Sequence, residues 1–365
     1  MSDVAAIDVL IPVHNAAETL NEALATIAAQ SFADFRVIAV DDGSTDGSAD
    51  VLSRWARADR RFSVTSQANA GIVAALNTAL ALASAPFVAR MDADDLCDPD
   101  RFHRQYSYLT ANEDVVAVAG QVEHIDEHGR PLAGLPHPGD PALADANWVP
   151  AREPYLIHPF LMARREAVMK AGGYRYVPHS EDSDLYWRLA EAGRLHNLDE
   201  GLGKYRFHTQ SISGGSIVNG RIMAVGSQLG ALAARARKRG EGDAGFKADL
   251  IPALKDARSL KTMCALARGH VAEVDRNRFG LAAGIKLLEL AAYRPFEIEA
   301  EDCDFIAEQM RGADNLDLPP GNRREINWYL GEAGARLLKQ GRIRDAAAIT
   351  PLRLWPTVLA KATLR

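Results

Sequence analysis

Phe87-Val88-Ala89-Arg90-Met91-Asp92-Ala93-Asp94-Asp95 reads as a short apolar strand that runs straight into three carboxylates. Upstream, Phe35-Arg36-Val37-Ile38-Ala39-Val40 is a similar run and ends in Asp41-Asp42-Gly43-Ser44. Ile7-Asp8-Val9-Leu10-Ile11 is another, closed by Pro12 and followed by Val13-His14-Asn15. Between these runs the period changes. Leu20, Leu24 and Ile27 recur at i, i+4 and i+7, which is one face of a helix. After Ser44, Thr45 or Asp46 can cap a following helix, since either offers the side-chain oxygen that its first free N–H groups need. A further strand covers Phe62 to Thr65, and after Asn69-Ala70-Gly71 the stretch 72–83, rich in Ala and Leu, is helical. Short strands alternating with helices indicate βαβ units, hence an α/β fold with a mostly parallel sheet covered on both faces.

Downstream the pattern loosens. Val115 to Val122 reads as a strand, 130–160 as a Pro-rich loop, and Glu181 to Ala192 as an amphipathic helix with Leu185, Leu189 and Ala192 on one face. From about residue 220, Gly and Pro thin out and Ala, Leu, Arg and Glu dominate. Leu318-Pro319-Pro320-Gly321 breaks this helical part, and 325–349 reads as two helices turning at Gly341. The expected division is an α/β domain over 1–220 and a helical region of unknown role over 221–365. The 365 residues are 47% hydrophobic and 25% charged, a globular composition that excludes a disordered or fibrous chain. No stretch approaches the roughly 20 apolar residues of a membrane span. The first residues carry Asp3 and Asp8 and no basic n-region, so they do not read as a signal peptide. Cys97, Cys264 and Cys303 form no CxxC pair, which suits a reducing, cytoplasmic setting. Residues 1–220 hold 18 Lys+Arg against 30 Asp+Glu, whereas 221–365 hold 24 against 18. An acidic first part argues against nucleic acid as partner, because polyanion binding runs on positive charge.

The acids stand where chemistry is expected. In an open parallel sheet, ligands bind outside the carboxyl ends of the strands, and both Asp41-Asp42 and Asp92-x-Asp94-Asp95 fall there. Carboxylates crowded along one crevice repel each other unless a cation joins them, and a divalent ion bridging a diphosphate resolves that. The simpler account is that an Asp at a strand end turns the chain or caps the next helix, and for Asp46 alone it suffices. Neither GxGxxG nor GxxxxGK[ST] is present, which argues against a dinucleotide dehydrogenase and a P-loop kinase. Asp42 can accept the ring N–H of a uracil, thymine or guanine base, and His14 can stack on it. Ser180-Glu181-Asp182-Ser183-Asp184 begins like a capped helix with acids in its first turn. One of these acids can alternatively serve as general base towards an acceptor hydroxyl.

Residues 7–110 and 157–213 resemble the family 2 glycosyltransferases, which invert the anomeric centre and have the GT-A fold. The resemblance lies in Ile11-Pro12-Val13-His14-Asn15, Val40-Asp41-Asp42-Gly43-Ser44-Thr45-Asp46, Asn69-x-Gly71 with Asn77, and Met91-Asp92-Ala93-Asp94-Asp95 with Pro99 and Arg101. It continues in His158-Pro159, Gly172-Gly173-Tyr174, Glu181-Asp182, Arg188, and Tyr205-Arg206-x-His208 with Ser213. By this resemblance Pro12 and His14 line the nucleobase, where the family often has Tyr in place of His14. Asn15, Asn69 and Asn77 go with the donor site, and Asp42 reads a uracil ring. Asp92, Asp94 and Asp95 form the metal and ribose-phosphate motif, with Asp94 as the ligand of Mn²⁺ or Mg²⁺ and Asp95 as the alternative. Asp182 is the general base, Glu181 its neighbour, and His208 lies near the diphosphate or metal.

The resemblance implies transfer from a nucleotide-diphospho-sugar, expected to be a UDP-sugar, to a surface glycan or lipid-linked saccharide. A sugar nucleotidyltransferase is the rival enzyme, but His14-Asn15-Ala16-Ala17 lacks the Gly and basic residues of its first loop. A sugar-nucleotide-binding protein without transfer activity is the other alternative. The helical region can make a homo-oligomer interface or touch a membrane at its inner face. Arg342 to Arg365 has five basic residues against Asp345, with Leu352, Leu354, Trp355, Val358 and Leu359 as an apolar side. Pro351 and Pro356 interrupt a long helix there, which favours packing over anchoring.

Overall fold

The computed structural model describes residues 4–133, 138–207, 216–243 and 245–363, and the chain falls into two units. The first comprises Met1–Leu143, Pro154–Arg175 and Glu181–His208. Its elements are β1 (Ile7–Val13), α1 (Leu20–Ala28), β2 (Phe35–Asp42), α2 (Ser48–Ala58), β3 (Phe62–Gln67), α3 (Ile72–Leu82) and β4 (Phe87–Arg90). They continue with β5 (Leu96–Cys97), α4 (Arg101–Ala111), β6 (Val115–Ile125), β7 (Met162–Arg164), α5 (Arg165–Lys170), α6 (Glu181–Ala190) and β8 (Arg194–Arg206). The strands form one sheet in the order β3-β2-β1-β4-β7-β6-β8-β5.

Strands β3, β2, β1 and β4 are parallel, as the alternation with helices requires. Beyond β4 the sheet departs from that expectation. β7 is antiparallel to both β4 and β6, β5 is antiparallel to β8, and β6 runs parallel to β8. The short β7 arrives after a long loop instead of a helical crossover, which is what parallel pairing needs. Ile7, Val9, Ile11 and Val13 are almost wholly buried, and each contributes about 1.5–3 kcal/mol of apolar burial. Asp8 is buried among them because Arg36 grips both its oxygens and the amides of Ser84 and Ala85 donate to Oδ2. β1 also continues through Pro12 instead of ending there. The ladder with β4 stops at Leu10, so the missing N–H of Pro12 costs no bond on that side.

The second unit comprises Ala144–Glu153, Tyr176–Ser180 and Thr209–Arg365. It contains α7 (Ile217–Lys238), α8 (Leu250–Ala257), α9 (Leu260–Ala267), α10 (Arg276–Ala291), α11 (Ala300–Met310), α12 (Asn322–Lys339), α13 (Ile343–Ile349) and α14 (Trp355–Thr363). Helices α7 and α10 are buried nearly all round and form its core with Phe279, Leu287 and Ile306. The hairpin expected near Gly341 is α12 and α13. In the last stretch Val358 is packed, but Leu352 and Leu359 are exposed, so packing accounts for only part of that apolar side. Among the described residues no helix is long and apolar enough to cross a membrane.

Candidate active site

The sheet order puts β1 between β2 and β4, so the acids that end β2 and follow β4 flank the end of β1. Asp42 is 3% exposed, and its carboxylate is already engaged. Oδ1 accepts from Gln67 Nε2 at 2.8 Å and from the Ala70 amide at 2.9 Å, while Oδ2 accepts from the Gly71 amide at 2.8 Å. Asp42 therefore fixes the loop that leads into α3. Gly43, at φ +71°, permits this approach, since a Cβ there would lie 2.8 Å from the Asn69 nitrogen. His14 is exposed. Its Nδ1 lies 2.9 Å from the Asp42 carbonyl, to which it donates, and Asn69 Nδ2 lies 3.1 Å from Nε2. Asn15, in the left-handed region at φ +51° that Asn tolerates, ties this loop to the one after β2. Its Oδ1 accepts from the Thr45 amide at 2.8 Å, and its own amide donates to Ser44 Oγ. The N-cap position of α2 falls on Gly47, and Asp46 just before it accepts from the Ser48 amide, the first N–H of the helix, at 2.9 Å, and from the Ala17 amide at 3.0 Å.

After β4, Asp92, Asp94 and Asp95 bring carboxylate oxygens within 4.8 Å of one another. Two buried arginines build this turn. Arg101 donates to the Arg90 carbonyl at 2.7 Å and stacks over Phe160. Arg206, at the end of β8, gives its amide to Asp95 Oδ1 at 2.7 Å and its Nε to the Asp94 carbonyl at 2.8 Å. Burial first, then the neighbouring carboxylates, hold Asp95 well above the usual range, and Asp95 Oδ2 is buried without a hydrogen-bond partner among the described residues. Burial likewise raises Asp92, against the pull of Arg90 at 2.5 Å. Clustered oxygens, mutual repulsion and an orphaned buried oxygen are what a hard divalent cation relieves, so the donor set fits Mn²⁺ or Mg²⁺.

A second group of acids stands at the start of α6. Glu181 is pushed up to about 7, by burial first and then by Asp182, and the charge on Asp92 also raises it. Asp182 Oδ1 accepts from the Ser183 amide at 2.7 Å. Behind them His158 Nε2 and Tyr174 Oη are 2.9 Å apart, and Tyr186 meets the His158 ring edge-on. Burial and the nearby Arg90 cation keep His158 neutral. Asp184, fully buried, is not part of this group. Arg175 and Arg188 enclose it, and Arg188 also donates to the Gly173 carbonyl at 2.7 Å.

Of the residues expected at the site, the structure brings Asp42, His14, Asn15 and Asn69 together at one end, with Pro12 on β1 beneath them. Asp92, Asp94 and Asp95 form the next group, followed by Glu181 and Asp182. Asn77 donates to the Tyr174 carbonyl and accepts from the Tyr174 amide, both at 2.9 Å. It holds the Gly172-Gly173-Tyr174 turn with one N–H and one lone pair of its amide. His208 and Ser213 lie outside the described residues. Arg90 escaped the sequence reading. It is 3% exposed, and its Nε and Nη1 are without partners among the described residues. A basic residue inside an otherwise apolar strand was the available signal.

Comparison with known proteins gives the family and the fold. The profile of "Glycosyl transferase family 2" matches residues 8–172. A putative glycosyltransferase of Bacillus subtilis, EpsE, is 31% identical over 210 residues, 55% of this chain and 72% of that protein. The amylovoran biosynthesis glycosyltransferase AmsE of Erwinia amylovora is 32% identical over 218 residues, 58% and 78% of the two chains. Among solved structures, the mannosyltransferase PcManGT from Pyrobaculum calidifontis, in complex with GDP-Man and Mn²⁺, superposes with a TM-score of 0.51 over 99% of this chain and 88% of that one. At 18% identity it shows the fold alone, which is GT-A. With these relatives matched over most of their own length, the chain belongs to glycosyl transferase family 2 and is a glycosyltransferase.

Proposed function

We propose that the protein moves a sugar from a UDP-sugar to an acceptor hydroxyl with inversion at C1, in the assembly of a surface polysaccharide or glycolipid, using Mn²⁺ or Mg²⁺. The observation that carries this reading is the juxtaposition of the triple carboxylate after β4 with the Glu181-Asp182 pair, close enough for Asp92 to bear on Glu181. The name of AmsE, a glycosyltransferase of amylovoran biosynthesis, supports a glycan acceptor, and Mn²⁺ beside GDP-Man in PcManGT supports a metal. Asp182 accepts the proton of the acceptor hydroxyl as that oxygen attacks C1 from the face opposite the nucleotide. The bond from C1 to the diphosphate oxygen breaks, and its electron pair leaves with the diphosphate. Asp94, with Asp92 or Asp95, would hold the metal, which when bound supplies Lewis-acid stabilisation of the diphosphate charge. His14, Asn15 and Asn69 line the base, and Asp42 reads it.

Asp42 also favours one base over another. A carboxylate offers about four lone-pair positions, and three of those on Asp42 are filled by protein donors. The fourth, on Oδ2, suits the single imide N–H of uracil. Guanine presents N1–H and N2–H side by side and would leave one unmet. With Mn²⁺ present, UDP is expected to bind at least about tenfold more tightly than GDP, the worth of one hydrogen bond to a charged group. Calorimetric titration with each nucleotide, with Mn²⁺ and with EDTA, checks both points. Equal or tighter GDP binding, or UDP binding indifferent to EDTA, would contradict the assignment.

Glu181 adds a pH dependence. As pH rises through about 7 this carboxyl ionises and its charge makes Asp182 more basic, so kcat is expected to rise with a midpoint there. Glu181→Gln should flatten that step, and an unaltered profile in the variant would exclude Glu181 as its source. The folded state holds this proton more tightly than the unfolded chain, whose Glu titrates near 4.5. The Glu181 contribution to stability is therefore full below 4.5 and is lost as pH climbs through about 7.

A further inference from the structure

Residues 176–180 belong to the helical second unit, yet the chain passes directly from Ser180 into Glu181-Asp182. Val177, Pro178 and Ser180 are buried, and the segment is held against α7 at backbone distance. At Gly226, in the middle of α7, an added Cβ would lie 1.9 Å from the Pro178 carbonyl oxygen and 3.2 Å from Ser180 Oγ. One turn earlier, the Met223 carbonyl accepts from Ser180 Oγ at 3.4 Å. His179 sits between these contacts at φ +51°, a costly conformation for a residue with a Cβ, and its Nε2 is buried without a partner among the described residues. Such conformations persist where the surroundings over-determine them, and they cluster at functional sites. The segment is therefore clamped, and the clamp lies immediately before the proposed base.

We infer that Gly226 is a positioning residue for the transfer reaction: the seat it gives Pro178 on α7 fixes the point at which the chain enters α6, and through it the placing of the Asp182 carboxylate. This rests on Asp182 being the base. The clash at Gly226 is with backbone, so a side chain there can be accommodated only by moving residues 178–180. At Gly284 on α10 a Cβ would meet the Ile306 side chain at 2.9 Å. Gly284→Ala is thus a substitution on an equally buried helix of the same unit that leaves 176–180 untouched.

The test uses the full chain and three readouts. The first is Mn²⁺-dependent release of UDP from whichever of UDP-glucose, UDP-galactose or UDP-GlcNAc reacts fastest. The others are UDP affinity by calorimetry and amide hydrogen exchange over residues 176–190. Gly226→Ala is expected to lower kcat about 10²-fold, as a misplacement near 1 Å does, with UDP affinity unchanged and exchange in 176–185 increased. Gly284→Ala is expected to lower the melting temperature and leave kcat and that exchange alone. Asp182→Asn separates the role of the base from that of its positioning. If Asp182→Asn retains full activity, the base assignment fails. If Asp182→Asn is impaired but Gly226→Ala behaves like Gly284→Ala, the positioning inference fails and the base stands. Adding Gly226→Ala to Asp182→Asn should cost nothing further, and a full additional loss would also overturn the inference. Should Gly226→Ala not fold, Ser180→Ala decides: a smaller fall in kcat at unchanged UDP affinity supports the clamp, and unchanged kcat overturns it.

Discussion

Asp182→Asn is expected to lower kcat for transfer by about 10²–10⁴-fold, the usual worth of a general base, while UDP and Mn²⁺ bind as before. The expectation follows from location. Asp182 opens α6, opposite in role to the carboxylates that follow β4, and its Oδ1 is already oriented by the Ser183 amide. Asparagine keeps the size and can still accept that bond, but it cannot take a proton. The loss should therefore appear in kcat and not in nucleotide affinity. Glu181→Gln is the companion variant. If it, and not Asp182→Asn, carries the large loss, the roles of the two acids are exchanged.

Asp94→Ala is expected to act on the other half of the site. It removes one of three carboxylates that offer oxygens within 4.8 Å of one another, and with it a repulsion that helps push Asp95 above the usual carboxylate range. Mn²⁺-dependent strengthening of UDP binding should disappear, leaving the residual affinity that wild type shows in EDTA. Transfer should fall by at least about 10²-fold, since charge on the leaving diphosphate is no longer met. Calorimetry with and without Mn²⁺ reads the first effect and UDP release the second. Wild-type metal dependence in this variant would move the ligand role to Asp92 and Asp95.

The first half of the fold is legible because its signals are local. In β1, β2 and β4 each apolar run is short, each ends in a polar turn, and the intervening helices show their period within a dozen residues. Strand ends of that kind also mark where carboxylates gather, so the amino-acid pattern alone locates the groups around Asp42 and Asp94. Beyond β4 the information is long-range. β7 is three residues long and is identified as a strand by its partners β4 and β6, and the β6–β8 ladder is interrupted by bulges. The same holds for the supporting side chains. Arg206 fastens Asp95 across 111 residues and Asn77 fastens Tyr174 across 97, so neither role has a local pattern to betray it. The resemblance includes Asn77 in the donor site, but only the structure shows its amide facing the Gly173 turn. Similarly, nothing in Tyr176–Ser180 announces that it packs with helices forty residues later.

Transfer in this carboxylate crevice is expected to be a single displacement at the sugar C1. Proton NMR of the sugar released by the wild-type protein from an α-linked UDP-sugar with Mn²⁺, followed from the first turnovers, tests it directly. The β-anomer is expected to appear first, and EDTA to stop its formation. Appearance of the α-anomer first would contradict a one-step displacement by an oxygen that Asp182 activates.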